Sequence, residues 1–86
     1  MYELRITDEA RSDFKSLPMR MQVRAQDVFQ RLVRWPDVSG AKALRGKLKG
    51  AYRIRTGDWR VLFNVDELAG RVTVFRIANC RDVYED

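Results

Sequence analysis

From Tyr2 to Ile6 apolar and charged side chains alternate, Tyr2, Leu4 and Ile6 against Glu3 and Arg5, which predicts a short strand half-buried on one face. At Thr7 the period changes. Thr7-Asp8 supplies a helix cap, Asp8 and Glu9 stand where the positive end of a helix dipole favours acids, and Ala10, Phe14 and Leu17 recur at i, i+4 and i+7. A short helix ending near Leu17 is expected. Pro18 is tolerated in a first turn, and Met21, Ala25, Val28, Phe29 and Leu32 then give a second helix a longer apolar stripe. Arg20, Arg24, Gln26, Asp27, Gln30, Arg31 and Arg34 take its wet side. Trp35-Pro36 closes it, because the residue before a proline is pushed out of the helical region.

Residues 36–50 hold Pro36, Gly40, Gly46 and Gly50 with only Leu44 and Leu48 as large apolar anchors, so they read as a basic connecting loop. After it the period becomes two. Ala51–Thr56, Trp59–Val65 and Arg71–Ala78 alternate and are separated by Gly57-Asp58 and by residues 66–70, a three-stranded meander. The prediction is an α+β fold: an N-terminal strand, a two-helix antiparallel hairpin, the meander in one mainly antiparallel sheet, and a short C-terminal tail.

A two-residue turn with glycine first suits type II′ and fixes the register of the first hairpin. One face then carries the pairs Tyr52 with Phe63, Ile54 with Val61 and Thr56 with Trp59, to be covered by the helices. The other carries Arg53 with Leu62 and Arg55 directly opposite Arg60. Continuing the same alternation into the last strand keeps Thr73, Phe75 and Ile77 on the core face and sets Arg76 beside Arg60. Four arginines would share an uncovered face without an acid. Like charges directly opposite destabilise a sheet, and guanidinium groups are suited to phosphate, so a polyanionic ligand is expected there.

Composition narrows the class. With 86 residues, 45% apolar and 34% charged, the chain reads as one folded domain, residues 1–86, with a thin core. The net charge of +5 is local: seven basic residues from Lys42 to Arg60 against Asp58 alone make +6 and leave −1 elsewhere. Cys80 is the only cysteine and histidine is absent, so neither an internal disulfide nor a Cys/His zinc site can form. Cys80 reads either as an inert residue at a strand end or as a thiol made more acidic by neighbouring arginines. No signal peptide or membrane span is visible, and a reducing cytoplasm is the expected compartment; no cofactor or metal is expected.

The run Leu44–Phe63, LRGKLKGAYRIRTGDWRVLF, followed by Val74–Tyr84, VFRIANCRDVY, resembles the RelE/ParE superfamily of bacterial toxins, and Asp8–Pro18 is similar to that family's first helix and its boundary with the second. The resemblance covers the whole chain. It implies a toxin of a type II toxin–antitoxin system, held silent by a cognate antitoxin with an acidic or amphipathic segment. RelE-type members cleave messenger RNA in the ribosomal A site without a metal, the RNA 2′-hydroxyl attacking its own neighbouring phosphate. ParE-type members poison DNA gyrase instead.

Position by position, the resemblance implies catalytic roles for Arg53 and Arg55, where the best-known members have lysines, for Arg60 and for Tyr84. The family's frequent Gly-His-Arg run falls on Ala78, Asn79 and Cys80, so its histidine and arginine are replaced; Arg81 is the candidate to turn in instead. On this reading Arg55, Arg60 and Arg81 carry the phosphate charge, Arg53 holds the substrate backbone, and Tyr84 stacks on a displaced base, since a tyrosine with a pKa of about 10 is a poor base at neutral pH. Lys42, Arg45, Lys47, Lys49 and Arg76 are expected to bind RNA, the lysines and Arg45 by tracking phosphates. The alternative is a gyrase-directed or catalytically lapsed toxin that binds its antitoxin without cutting RNA. A plain RNA-binding module ranks last, because it would want aromatic rings on the basic face and the expected register puts Tyr52, Phe63 and Phe75 on the core side.

Overall fold

The computed structural model describes residues 1–79 and Arg81. Strand β1 (Glu3–Ile6) leads into helices α1 (Asp8–Lys15) and α2 (Met19–Leu32), then β2 (Lys42–Ala43), a 3₁₀ turn (Gly46–Leu48), and strands β3 (Ala51–Thr56), β4 (Trp59–Asp66) and β5 (Arg71–Asn79). The sheet order is β1-β5-β4-β3-β2. Strands β1 and β5 run parallel, while β5, β4, β3 and β2 are antiparallel neighbours. The segment expected to be a loop thus holds a short edge strand. Its two residues are too few to show a period, and β3 supplies the partner that makes them a strand.

The helices form where the pattern places them. Thr7 caps α1 with its hydroxyl, which accepts from the Ala10 amide at 3.1 Å. The Gln22 side-chain amide donates to the Phe14 and Leu17 carbonyls, both at 3.2 Å, satisfying acceptors that the end of α1 leaves open. Ala10, Leu17, Ala25, Val28 and Leu32 are buried against Ile54, Val61, Phe63, Val72, Val74 and Ile77 of the sheet. Phe63 stacks on Tyr52 (centroids 5.7 Å, 22°) and meets Trp35 edge-on (5.6 Å, 77°), which ties the segment after α2 to the sheet. No helix among the described residues is long and apolar enough to cross a membrane.

The β3–β4 hairpin has the expected register throughout, from Ala51 with Asn64 to Thr56 with Trp59. Gly57 takes φ +62°, in the positive range that only glycines adopt among the described residues and that a type II′ turn requires at this position. The β4–β5 pair departs from expectation. Trp59 to Leu62 pair with Asn79 to Arg76, the register shifts between Leu62 and Phe63, and Phe63 then pairs with Val74. A β-bulge inserts one extra residue and reverses the facing of the residues beyond it. Val72 and Val74 therefore enter the helix-side core in place of Thr73 and Phe75, and because Asp66 already pairs with Arg71, one residue beyond the expected register, the two shifts together set Arg60 opposite Ala78 and Arg76 opposite Leu62.

Helix α1 lies along the part of β5 that β1 is too short to pair. The Asp13 carboxylate accepts from the Ile77 amide at 2.9 Å and from Arg76 Nε at 2.8 Å, taking the place of a strand partner. Asp13→Ala should therefore cost about 1–3 kcal/mol, because a strand amide loses its acceptor and Arg76 its carboxylate. Denaturant unfolding measures this, and a midpoint equal to wild type would contradict it. At the other end of the same edge, Arg71 donates to Glu3 at 2.9 Å. That hydrogen bond, helped by the charges of Arg5 and Arg71, holds the Glu3 carboxyl below its ordinary value. A carboxylate depressed in the folded state stabilises above its unfolded pKa and loses this as pH falls through the folded value. The Glu3→Gln protein should melt slightly below wild type at neutral pH, and the gap should close in acid.

Candidate nucleic-acid interface

The face of the sheet away from the helices is built by strand alternation. One row across it runs Lys42, Arg53, Leu62, Arg76, and the next runs Arg55, Arg60, Ala78. Lys42, read as a loop residue, is thus a sheet residue directly opposite Arg53, while Arg55 stands opposite Arg60 as expected. Two like-charged pairs with Cβ atoms about 5 Å apart occupy adjoining positions. Repulsion between them favours any anion that binds across both.

This face is not uncovered. Leu44, Ala51 and Leu62 are buried on it, with Leu48 and Phe75 packed against them, so a second small apolar cluster lies beside the cations. Arg53 and Arg60 are only 9% and 8% exposed, whereas Arg55, Lys42, Arg45, Lys47 and Lys49 are exposed. Alternation alone foresaw a solvated arginine face. The cluster arises because Leu44 and Leu48, carried by the segment around the 3₁₀ turn, fold back over β3 and β4, a long-range event that leaves no local pattern.

Two other expectations change, for Arg76 and Phe75. Arg76 does not stand beside Arg60, and its Nε is bonded to Asp13, so the basic face is not without acids. The bulge and the pairing of Asp66 with Arg71, each a shift of one residue, together account for its new strand partner. Arg81 is exposed just beyond β5, and its amide donates to the Asn79 side chain at 3.0 Å, a local turn at the strand end. Phe75, expected in the main core, lies with the second cluster and lines a cleft of about 320 Å³ with Lys47, Leu48, Lys49, Ala51 and Asn64. The aromatic ring missing from the expected basic face is therefore present. Tyr84 and Cys80 lie outside the described residues.

Sequence reasoning missed Asp13, Asn64 and Phe75 as neighbours of this surface. One signal was available for Phe75. Val72, Val74 and Ile77 are spaced by two and then by three, and the odd step marks the bulge.

Known proteins resemble this chain in sequence and in fold. The family model for the ParE toxin of type II toxin–antitoxin systems matches residues 4–84. Toxin RelG of Mycobacterium tuberculosis is 33% identical over 84 residues, 96% of this chain and 95% of that protein. Toxin RelE of the same organism is 35% identical over 78 residues, 90% of this chain and 79% of that one. The RelBE2 toxin–antitoxin complex of Mycobacterium tuberculosis superposes with a TM-score of 0.79 at 27% identity, over 91% of this chain and 96% of that chain. The isolated RelE toxin of E. coli has the same fold at 17% identity, with a TM-score of 0.77 over 92% of this chain and 84% of that one. Because the family match runs through both helices and the whole sheet, the chain belongs to the RelE/ParE superfamily, the toxins of type II toxin–antitoxin systems.

Proposed function

We propose that this toxin is an endoribonuclease that inhibits translation by cutting messenger RNA in the ribosomal A site, with the arginine rows of the second sheet face as its active site. The observation that carries the reading is Arg55 held directly opposite Arg60 with Arg53 opposite Lys42, a concentration of positive charge suited to a phosphodiester. In the reaction the RNA 2′-oxygen attacks the adjacent phosphorus and loses its proton to solvent. The bond to the 5′-oxygen breaks, and that oxygen takes up a proton. Negative charge grows on the phosphate oxygens in between, where guanidinium groups already in place stabilise it most. Arg60 and Arg55 carry that charge, Arg53 holds the backbone, and the arginines supply without a metal the electrostatic stabilisation one would give. Lys42, Arg45, Lys47 and Lys49, exposed around the same face, track flanking phosphates. Arg81, exposed at the end of β5, and Tyr84 complete the proposed site, with Tyr84 stacking on a displaced base.

A cognate antitoxin is the proposed partner, its acidic or amphipathic segment lying over the basic face. Toxin–antitoxin complexes such as RelBE2 have the same toxin fold, which supports this. A second reading, a gyrase-directed or catalytically lapsed toxin, draws support from the burial of Arg53 and Arg60 and from Asn79, which stands where the family often has histidine. Purified protein added to programmed ribosomes separates the two. Cuts confined to ribosome-bound message support the nuclease; intact message together with inhibited gyrase supports the second reading.

A further inference from the structure

We propose that the cleft beside the 3₁₀ turn is a nucleobase pocket, with Phe75 as its stacking platform, Asn64 reading the base edge, and Lys47 and Lys49 holding the phosphates on either side. This rests on the reading that the second sheet face binds RNA. The bulge takes Phe75 out of the helix-side core and sets it against Leu62, Leu44 and Leu48. One side of the ring is thereby supported by apolar neighbours while the residue, half-buried, still lines the cleft. A supported aromatic surface beside flexible cations is how single-stranded RNA is commonly held, because every base has a π-face and every linkage a charge.

The lining also selects a ligand. Among the described residues it holds two ammonium groups, one amide and no carboxylate. Asn64 lies opposite Ala51 on this face, and its exposed amide offers a donor and an acceptor side by side, which can pair with the edge of a stacked base, uracil included. Four residues along β4 separate Asn64 from Arg60, about 13 Å in a strand. The pocket therefore receives a base that flanks the scissile phosphate. An acidic peptide would pair with the lysines and the amide but would offer the ring no planar base to stack on.

The test uses short, uncleavable 2′-O-methyl RNA carrying one 5-iodouridine, which crosslinks under light to an aromatic ring stacked on it. Wild type should crosslink at Phe75, mapped by peptide mass. Phe75→Leu, which keeps the apolar volume, should retain the fold by circular dichroism, lose the crosslink and bind RNA about 10-fold more weakly. Lys47→Gln with Lys49→Gln should bind less tightly and with a salt dependence shallower by about 1.4 in log–log slope. Equal affinity of Phe75→Leu and wild type would overturn the proposal, as would a crosslink at Trp59, whose ring lines a separate hollow with Arg20 and Arg24. So would variants that lose binding only to an acidic peptide and keep their affinity for RNA. The catalytic reading fails separately: a Phe75 crosslink in a protein that never cuts message leaves the pocket standing, and cutting that Phe75→Leu leaves unchanged in rate and base preference removes the pocket alone.

Discussion

Arg60→Ala is expected to lower the rate of message cleavage on ribosomes by about 10²–10³-fold, the usual loss when one charge-stabilising donor is removed from a reacting centre. The site makes Arg60 the most consequential of the proposed catalytic arginines. It is 8% exposed and faces Arg55 across the hairpin, so it is largely withdrawn from water, where electrostatic stabilisation is stronger. Affinity for uncleavable RNA should fall much less than the cleavage rate, since Arg53, Arg55 and the lysines still attract the backbone. Arg60→Lys distinguishes charge from shape. It keeps the positive charge, loses the planar fork of donors, and should recover part of the lost activity. Cleavage by Arg60→Ala at the wild-type rate would falsify the assignment, and a loss confined to RNA affinity would reduce Arg60 to a binding residue.

Phe63→Ala has the largest expected effect on stability. The side chain is fully buried, stacked on Tyr52, edge-on to Trp35, and next to the register shift that sets the facing of β5. Truncating a core phenylalanine costs about 3–5 kcal/mol, a large share of the roughly 5–15 kcal/mol that holds a domain folded. The melting midpoint should drop by roughly 12–40 °C, and a drop of only a few degrees would show that the core does not depend on this aromatic group. Co-expressed antitoxin should recover part of the loss, because a partner that binds only the folded state stabilises it by mass action.

Much of the architecture is legible in the residues. Local spacing identifies both helices, the β3–β4 pairing and the strand limits to within a residue or so, because the period of apolar side chains and the Gly57 turn act between near neighbours. The opposition of Arg55 and Arg60 follows from that turn alone. Beyond one hairpin this local control ends. The four-residue loop between Asp66 and Arg71 does not impose a register as a two-residue turn does, and it is the bulge between Leu62 and Phe63 that lets Val74 and Ile77 both reach the helix-side core.

Fold class, family resemblance and the charge on one half of the chain are written in the residue order, since each depends on spacing that survives without coordinates. Which cations are reachable is settled in three dimensions. Arg53 and Arg60 look no different from Arg55 in a strand pattern, yet the fold leaves the first two nearly covered and the third exposed. Arg76, a proposed RNA-binding residue, is tied to Asp13, 63 positions away in the chain. Burial and pairing at these positions are properties of segments brought together across the fold, and the energy that selects them is the removal of apolar surface from water, which sums over the whole core and carries no local signature.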